Sequence, residues 1–169
     1  MLCLIARIDE AAAEKLRALR RAALGGTPDP RPLHGHITVA ACTGDEAGFI
    51  RFCRELAREF PVFPVEYRRL EVWEATSILV AVPEPCRALE EMHRRIAAEF
   101  AAQLDRWSQL EHWQPHTTLF CGPGADLPAL CRRLSEGFVP VPARVTALEF
   151  SRVLPSGYEI IGRIGLSDD

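Results

Sequence analysis

The chain has 169 residues, 48% of them hydrophobic and 25% charged, with 20 basic and 23 acidic side chains and a net charge of −3. That size and balance fit one compact domain with a sizeable core, and the slight acidity excludes a protein that grips long nucleic-acid duplexes through many phosphates. No apolar run reaches membrane-spanning length and the N-terminus turns charged within a few residues, so the expectation is a cytoplasmic protein with no membrane partner.

Leu2 to Ile8 reads as a strand, and Asp9-Glu10 open a helix with Leu16, Leu19 and Ala23 on one stripe. The stretch Gly25-Gly26-Thr27-Pro28-Asp29-Pro30-Arg31-Pro32 is a loop by composition. A strand over Ile37 to Cys42 follows, then a helix capped by Asp45 with Phe49, Ile50, Cys53, Leu56 and Phe60 inward. Pro61 and Pro64 end it, and a strand runs through Tyr67, Leu70 and Val72. The order then repeats, with a strand from Ser77 to Val82 and a helix opened by Pro83-Glu84-Pro85. That helix turns Leu89, Met92, Ile96, Phe100 and Leu104 inward. A strand from Pro115 to Cys121, a turn at Gly122-Pro123-Gly124 and a helix through Leu127, Leu130, Cys131, Leu134 and Phe138 come next. Pro140 and Pro142 end the helix, Val145 to Val153 form a strand, and Tyr158 to Leu166 form the last one.

Local sequence supports a duplication. Ile5–Glu10 lines up with Leu79–Glu84, His36-Ile37-Thr38 with His116-Thr117-Thr118, and Leu70-Glu71-Val72 with Leu148-Glu149-Phe150, at offsets of 74, 80 and 78. Phe60-Pro61-Val62-Phe63-Pro64 also resembles Phe138-Val139-Pro140-Val141-Pro142. The expected fold is therefore α+β and bilobal, one two-lobed domain over residues 1–169. It consists of a duplicated β-α-β-α-β unit (about 2–73 and 77–152) and a final strand at 158–166. A pseudo-twofold axis relates the units, mainly antiparallel sheets line a central cleft, and the helices lie outside.

The two His-x-Thr tripeptides carry most of the chemical information. Five His and seven Thr in this length give about 0.2 such matches by chance, against two at equivalent repeat positions. In a strand, residues i and i+2 share a face, so each His and its Thr point the same way. Two imidazoles and two hydroxyls in one cleft suit in-line displacement at a phosphodiester. One imidazole takes a proton from the nucleophile and the other gives one to the leaving group.

These residues resemble the two-histidine phosphoesterase superfamily, which includes the 2′-5′ RNA ligase-like proteins and cyclic nucleotide phosphodiesterases. Its signature, H-x-[ST]-x-hydrophobic given twice, is met by His36-Ile37-Thr38-Val39-Ala40 and His116-Thr117-Thr118-Leu119-Phe120. The resemblance implies a phosphodiesterase of 2′,3′-cyclic or 2′-5′-linked nucleotides or RNA ends, working without metal or organic cofactor. It makes His36 and His116 the acid/base pair, in either assignment, and Thr38 and Thr118 the donors to the non-bridging oxygens. Ala40-Ala41-Cys42 stands where many family members carry a bulkier residue, which bears on subfamily and substrate. The alternative is a nucleotide- or RNA-end-binding module with the same cleft and no turnover, although binding alone would not require both imidazoles.

Other residues carry weaker signals. Trp113 and Tyr158 are candidates for stacking a nucleobase, and Trp73 and Tyr67 for lining the same opening. Arg7 is the first choice for a phosphate-binding cation, ahead of Arg152 and Arg163. His34 lies two before His36 next to a turn-forming glycine, His112 reads as a loop residue, and His93 reads as solvated beside Arg94-Arg95. The pairs Arg20-Arg21, Arg68-Arg69, Arg94-Arg95 and Arg132-Arg133 read as solvated faces. The six cysteines show no C-x-x-C and no ligand-like spacing with histidine, which points to small hydrophobes and away from zinc or disulfides. The cleft loops expected to decide what enters are Gly25–Leu33, Glu74–Ser77 and Asp105–Gln114.

Overall fold

In the computed structural model, which describes residues 1–25, 35–121, 125–154 and 157–168, seven strands and four α-helices follow the anticipated order. The first unit is β1 (Leu2–Ile8), α1 (Glu10–Leu24), β2 (His36–Cys42), α2 (Glu46–Ala57) and β3 (Phe63–Trp73). The second is β4 (Ile78–Pro83), α3 (Arg87–Phe100), β5 (Thr117–Cys121), α4 (Leu127–Ser135) and β6 (Val141–Leu154), and β7 (Gly157–Gly165) follows. Residues 26–34, with most of the expected loop and His34, and the Gly122–Gly124 turn lie outside the described residues. Asp9, Asp45 and Asp126 cap α1, α2 and α4, each carboxylate accepting the amide three residues on at 3.1, 3.0 and 3.0 Å. Each satisfies one of the N–H groups that a helix start leaves open.

The strands form one antiparallel sheet in the order β2-β1-β6-β3-β4-β5, with β7 also on β6. Long β6 carries the branch: residues 141–145 pair with β3 and residues 147–154 with β7. The β3–β6 ladder shows the duplication directly. An offset of 78 maps Phe63, Val65 and Tyr67 onto Val141, Ala143 and Val145, and the observed partners are Phe63↔Val145, Val65↔Ala143 and Tyr67↔Val141. The pairing maps onto itself, so the pseudo-twofold axis passes through Val65↔Ala143. Pro64 and Pro142, expected to lie ahead of their strands, sit inside them at equivalent places near the strand starts. Proline is tolerated there because the missing N–H is not needed by the ladder.

One continuous core runs through both units, including Leu4, Leu16, Val39, Phe49, Leu79, Leu89, Leu119 and Leu148. The helices cross between units: α3 packs on β2 of the first, and α1 packs on β5 of the second. The inward stripes correct two expectations. Arg20 is buried with Leu16 and Ala23, and His93 is buried with Leu89 and Ile96. Both occupy the i+4 position of an apolar stripe, which puts them toward the core whatever their polarity. The remaining members of the arginine pairs are exposed or half-buried as expected. Among the described residues no helix is long and apolar enough to cross a membrane.

Candidate active site

Alternation along the motif strands sorts the four motif residues as expected. His36 and Thr38 are half-buried while Ile37 and Val39 are fully buried; His116 and Thr118 are half-buried while Thr117 and Leu119 are buried. His116 itself lies one residue ahead of β5, which begins at Thr117.

A β-bulge follows each threonine. In β2 the partners step from Ile5↔Thr38 to Leu4↔Ala40, leaving Val39 as the extra residue. In β5 they step from Val80↔Thr118 to Leu79↔Phe120, leaving Leu119 as the extra one. A bulge shifts the alternation by one residue, so Ala41 joins Cys3 and Ile5 on the cleft side while Ala40 and Cys42 pack in the main core.

β2 and β5 end the sheet path at opposite sides, yet the motifs meet. The Thr117 hydroxyl donates to the His36 carbonyl at 2.9 Å. The Tyr67 hydroxyl lies 2.8 Å from the same Thr117 oxygen and, because Thr117 spends its proton on His36, acts as the donor. Tyr67 is fully buried, so it belongs to this link and does not line the opening as expected. The free edge of β2 is further fastened by the 104–114 segment. Asp105 N–H donates to the Ala41 carbonyl (2.9 Å), Ala41 N–H to Ser108 Oγ (2.9 Å), and Trp113 Nε1 to the Thr38 carbonyl (3.0 Å).

These contacts enclose a cleft of about 490 Å³ whose walls include Thr38, His116, Trp73, Trp107, Trp113 and His112. All three tryptophans of the chain are there. His36 and Thr118 are not on that wall, and Thr118 faces a small recess beside Arg20 and Gly35. Expected cleft segments 74–77 and 105–114 contribute Ala75, Thr76, Asp105, Ser108 and Glu111.

His116 is closely held. Its Nδ1 is 2.8 Å from the Gln114 carbonyl, which only accepts, so Nδ1 carries the proton and Nε2 is left as the acceptor. Its ring meets Trp73 edge-on at 4.4 Å and 61°. Burial among these groups pushes its pKa below the ordinary imidazole value, outweighing the opposite pull of the Gln114 carbonyl. Trp73 is held in turn by Glu71, which accepts its Nε1–H at 3.1 Å and an Arg69 hydrogen bond at 2.5 Å.

The equivalent of Glu71 in the other unit is Glu149, at the same offset of 78. Glu149 is buried between Arg7 (3.6 Å) and Arg163 (3.7 Å). Arg7 stands directly opposite His36 in the β1–β2 ladder, so the two share a face. Tyr158, 36% exposed on β7, has its pKa raised first by its partial burial, with Arg7 pulling it down and Glu149 pushing it up. Neither Arg7 nor Tyr158 is on the cleft wall, whereas Trp113 is. Arg152 pairs with Glu46 at 2.7 Å. Among the described residues no three His, Cys, Asp or Glu side chains cluster as a metal site would require, and all six cysteines are free.

Thr117, Glu71, Glu149 and Trp107 join the surroundings of the site through tertiary contacts, in addition to the residues expected from the sequence. The glutamates had a signal, since Leu70-Glu71-Val72 and Leu148-Glu149-Phe150 align as repeats.

The family model described as the 2′-5′ RNA ligase superfamily matches residues 8–154, most of the chain. The chain belongs to this superfamily of two-histidine phosphoesterases. Comparison with curated protein sequences finds no match. Among solved structures, E. coli LigT complexed with 3′-AMP is similar at 18% identity and a TM-score of 0.64, covering 98% of this chain and 97% of that one. The protein TT0787 of Thermus thermophilus is similar at 17% identity and a TM-score of 0.65, covering 98% and 97%. The likeness at these identities is one of fold, and it extends over nearly the whole of each chain.

Proposed function

We propose that this chain is a metal-independent phosphodiesterase acting on 2′,3′-cyclic or 2′-5′-linked phosphodiesters of small nucleotides or RNA ends. The observation that carries the reading is the junction of two equivalent His-x-Thr strands through Thr117 and the His36 carbonyl. The geometry also favours one assignment of roles. His116, made less basic than an ordinary imidazole by burial and with Nε2 as its open acceptor, is the general base. His36 is then the general acid.

In this reading Nε2 of His116 takes a proton from water as the water oxygen bonds to phosphorus. The bond from phosphorus to the ribose 2′ or 3′ oxygen breaks, and His36 donates its proton to that oxygen. Thr38 and Thr118 donate hydrogen bonds to the non-bridging oxygens, where charge grows. The tryptophans lining the cleft are the candidates for stacking a base, Trp113 with only the face turned away from His93, and base–aromatic stacking contributes about 1–3 kcal/mol per base. E. coli LigT, of similar fold, was solved with 3′-AMP, a ligand of the class the cleft suits.

The test is turnover of a 2′,3′-cyclic nucleotide panel in excess EDTA, alongside His36→Ala, His116→Ala and the double variant. Turnover that survives chelation and is lost in each variant, with the fold retained, supports the reading. Full activity in either single variant would overturn the acid/base assignment. Nucleotide binding without turnover on any substrate would favour the binding module.

A further inference from the structure

We propose that Arg20 and His93 are positioning residues for the two motif strands, each clamping the bulge that aims the other unit's threonine. This rests on the phosphodiesterase reading of the same cleft. A bulge leaves its extra residue without a ladder partner, and the extra residues here, Val39 and Leu119, are 0% and 1% exposed. Their carbonyls would be buried acceptors with nothing to accept, a cost that folded proteins avoid. His93 Nδ1 lies 2.8 Å from the Val39 carbonyl, and Arg20 Nη1 lies 2.8 Å from the Leu119 carbonyl.

The two contacts are equivalent under the duplication. An offset of 73 carries Leu16, Arg20 and Ala23 of α1 onto Leu89, His93 and Ile96 of α3, while 80 carries Val39 onto Leu119. Each helix reaches across the pseudo-twofold axis to the motif strand of the other unit. Two unlike residues, imidazole and guanidinium, thus serve equivalent sites in the two units. What they share is an N–H donor long enough to reach from a buried helix stripe to the bulged carbonyl.

The bulge matters because Thr38 and Thr118 immediately precede it. Returning the strand to regular alternation would exchange core and cleft faces beyond the threonine. Ala40 and Phe120 would then be driven toward the cleft, and the threonine hydroxyl would turn with the backbone. The first unit carries an extra layer, since His93 stacks on Trp113 at 4.1 Å and 8°, and Trp113 donates to the Thr38 carbonyl. Consecutive carbonyls of the motif strand are therefore held by a stacked pair of rings.

The experiment compares donor-deleting with donor-keeping variants: His93→Phe against His93→Asn, whose amide can take the place of Nδ1, and Arg20→Met against Arg20→Lys. Expected are falls in kcat of about tenfold or more for His93→Phe and Arg20→Met, with KM within about twofold and recovery in the Asn and Lys variants. Melting temperature is measured alongside, because a purely structural role would lower stability in all four without splitting kcat from KM. Unchanged kcat in the donor-deleting variants, or equal loss in the donor-keeping ones, overturns the proposal. Should the wild type turn over no substrate, the enzymatic reading fails by itself. The variants are then scored on affinity for inorganic phosphate: weakening only where the donor is deleted supports the clamps, and no weakening overturns them.

Discussion

Replacing Thr117 by valine keeps the side-chain shape and deletes the hydroxyl that joins the motifs. The Tyr67 hydroxyl, fully buried, loses its acceptor at 2.8 Å, and the His36 carbonyl loses its donor at 2.9 Å. A net hydrogen bond is worth about 0.5–1.5 kcal/mol, and stranding a buried polar partner costs about 1–3 kcal/mol. The expected loss is about 2–4 kcal/mol, or a melting temperature lower by about 5–15 °C for a domain of this size. Tyr67→Phe should cost only about 1 kcal/mol, because Thr117 still serves His36. In that background Thr117→Val no longer strands a phenol, so the double-mutant cycle should show coupling of about 1 kcal/mol. Urea unfolding with an unchanged m-value measures all three variants. A Thr117→Val loss below about 0.5 kcal/mol, or strict additivity, would refute the linked chain.

Glu149→Gln should destabilise by about 3 kcal/mol, because it removes the buried carboxylate between Arg7 and Arg163. The equivalent Glu71→Gln, at a side chain 36% exposed, should cost under about 1 kcal/mol in the same urea assay. His93 and His116 are both less basic than an ordinary imidazole because burial disfavours their charged forms. Below 6.5, the ordinary value, the unfolded chain therefore takes up protons that the folded chain does not, and stability falls with pH until the lowered folded values are passed. His93→Phe should flatten that acid decline, measured by urea midpoints between about pH 7 and 5; an unchanged slope would count against His93 as a source of it.

The fold is legible because periodicity, caps and turn residues agree along the chain, and the repeat offsets fix which elements correspond. The errors have a common origin. Arg20 and His93 read as solvated from their own polarity and their arginine neighbours, although Leu16 and Leu89 four residues earlier put both on the buried stripe. Their partners are carbonyls 99 and 54 residues away, which no local pattern announces. Tyr67 reads as part of the opening for the same reason, since its hydroxyl finds Thr117 only across the sheet. The His and Thr of each motif are legible as i and i+2 on a strand. The crossing of α1 and α3 onto the opposite unit's strand is a tertiary choice that element order leaves open.

Duplication by itself would give two alike histidines, whereas the proposed chemistry needs one imidazole neutral and the other protonated. The inequality comes from positions where the units depart from one another. Thr117 stands where the first unit has Ile37, and Trp73 stands where the second unit's strand has Ser151, at the offset of 78 that pairs Glu71 with Glu149. His116 therefore has an indole against its ring, which the small Ser151 at the equivalent place cannot supply to His36. Trp73→Ser makes the units alike at this position and admits water to His116. Removing the desolvation raises the His116 pKa toward the ordinary value, so the acid limb of kcat/KM should move to higher pH. The hydrogen bond from Nδ1 to Gln114 remains, so the tautomer and the alkaline side of the profile should stay in place. An acid limb that does not move in Trp73→Ser would show that the indole does not set the protonation of His116, and the base assignment would lose its physical ground.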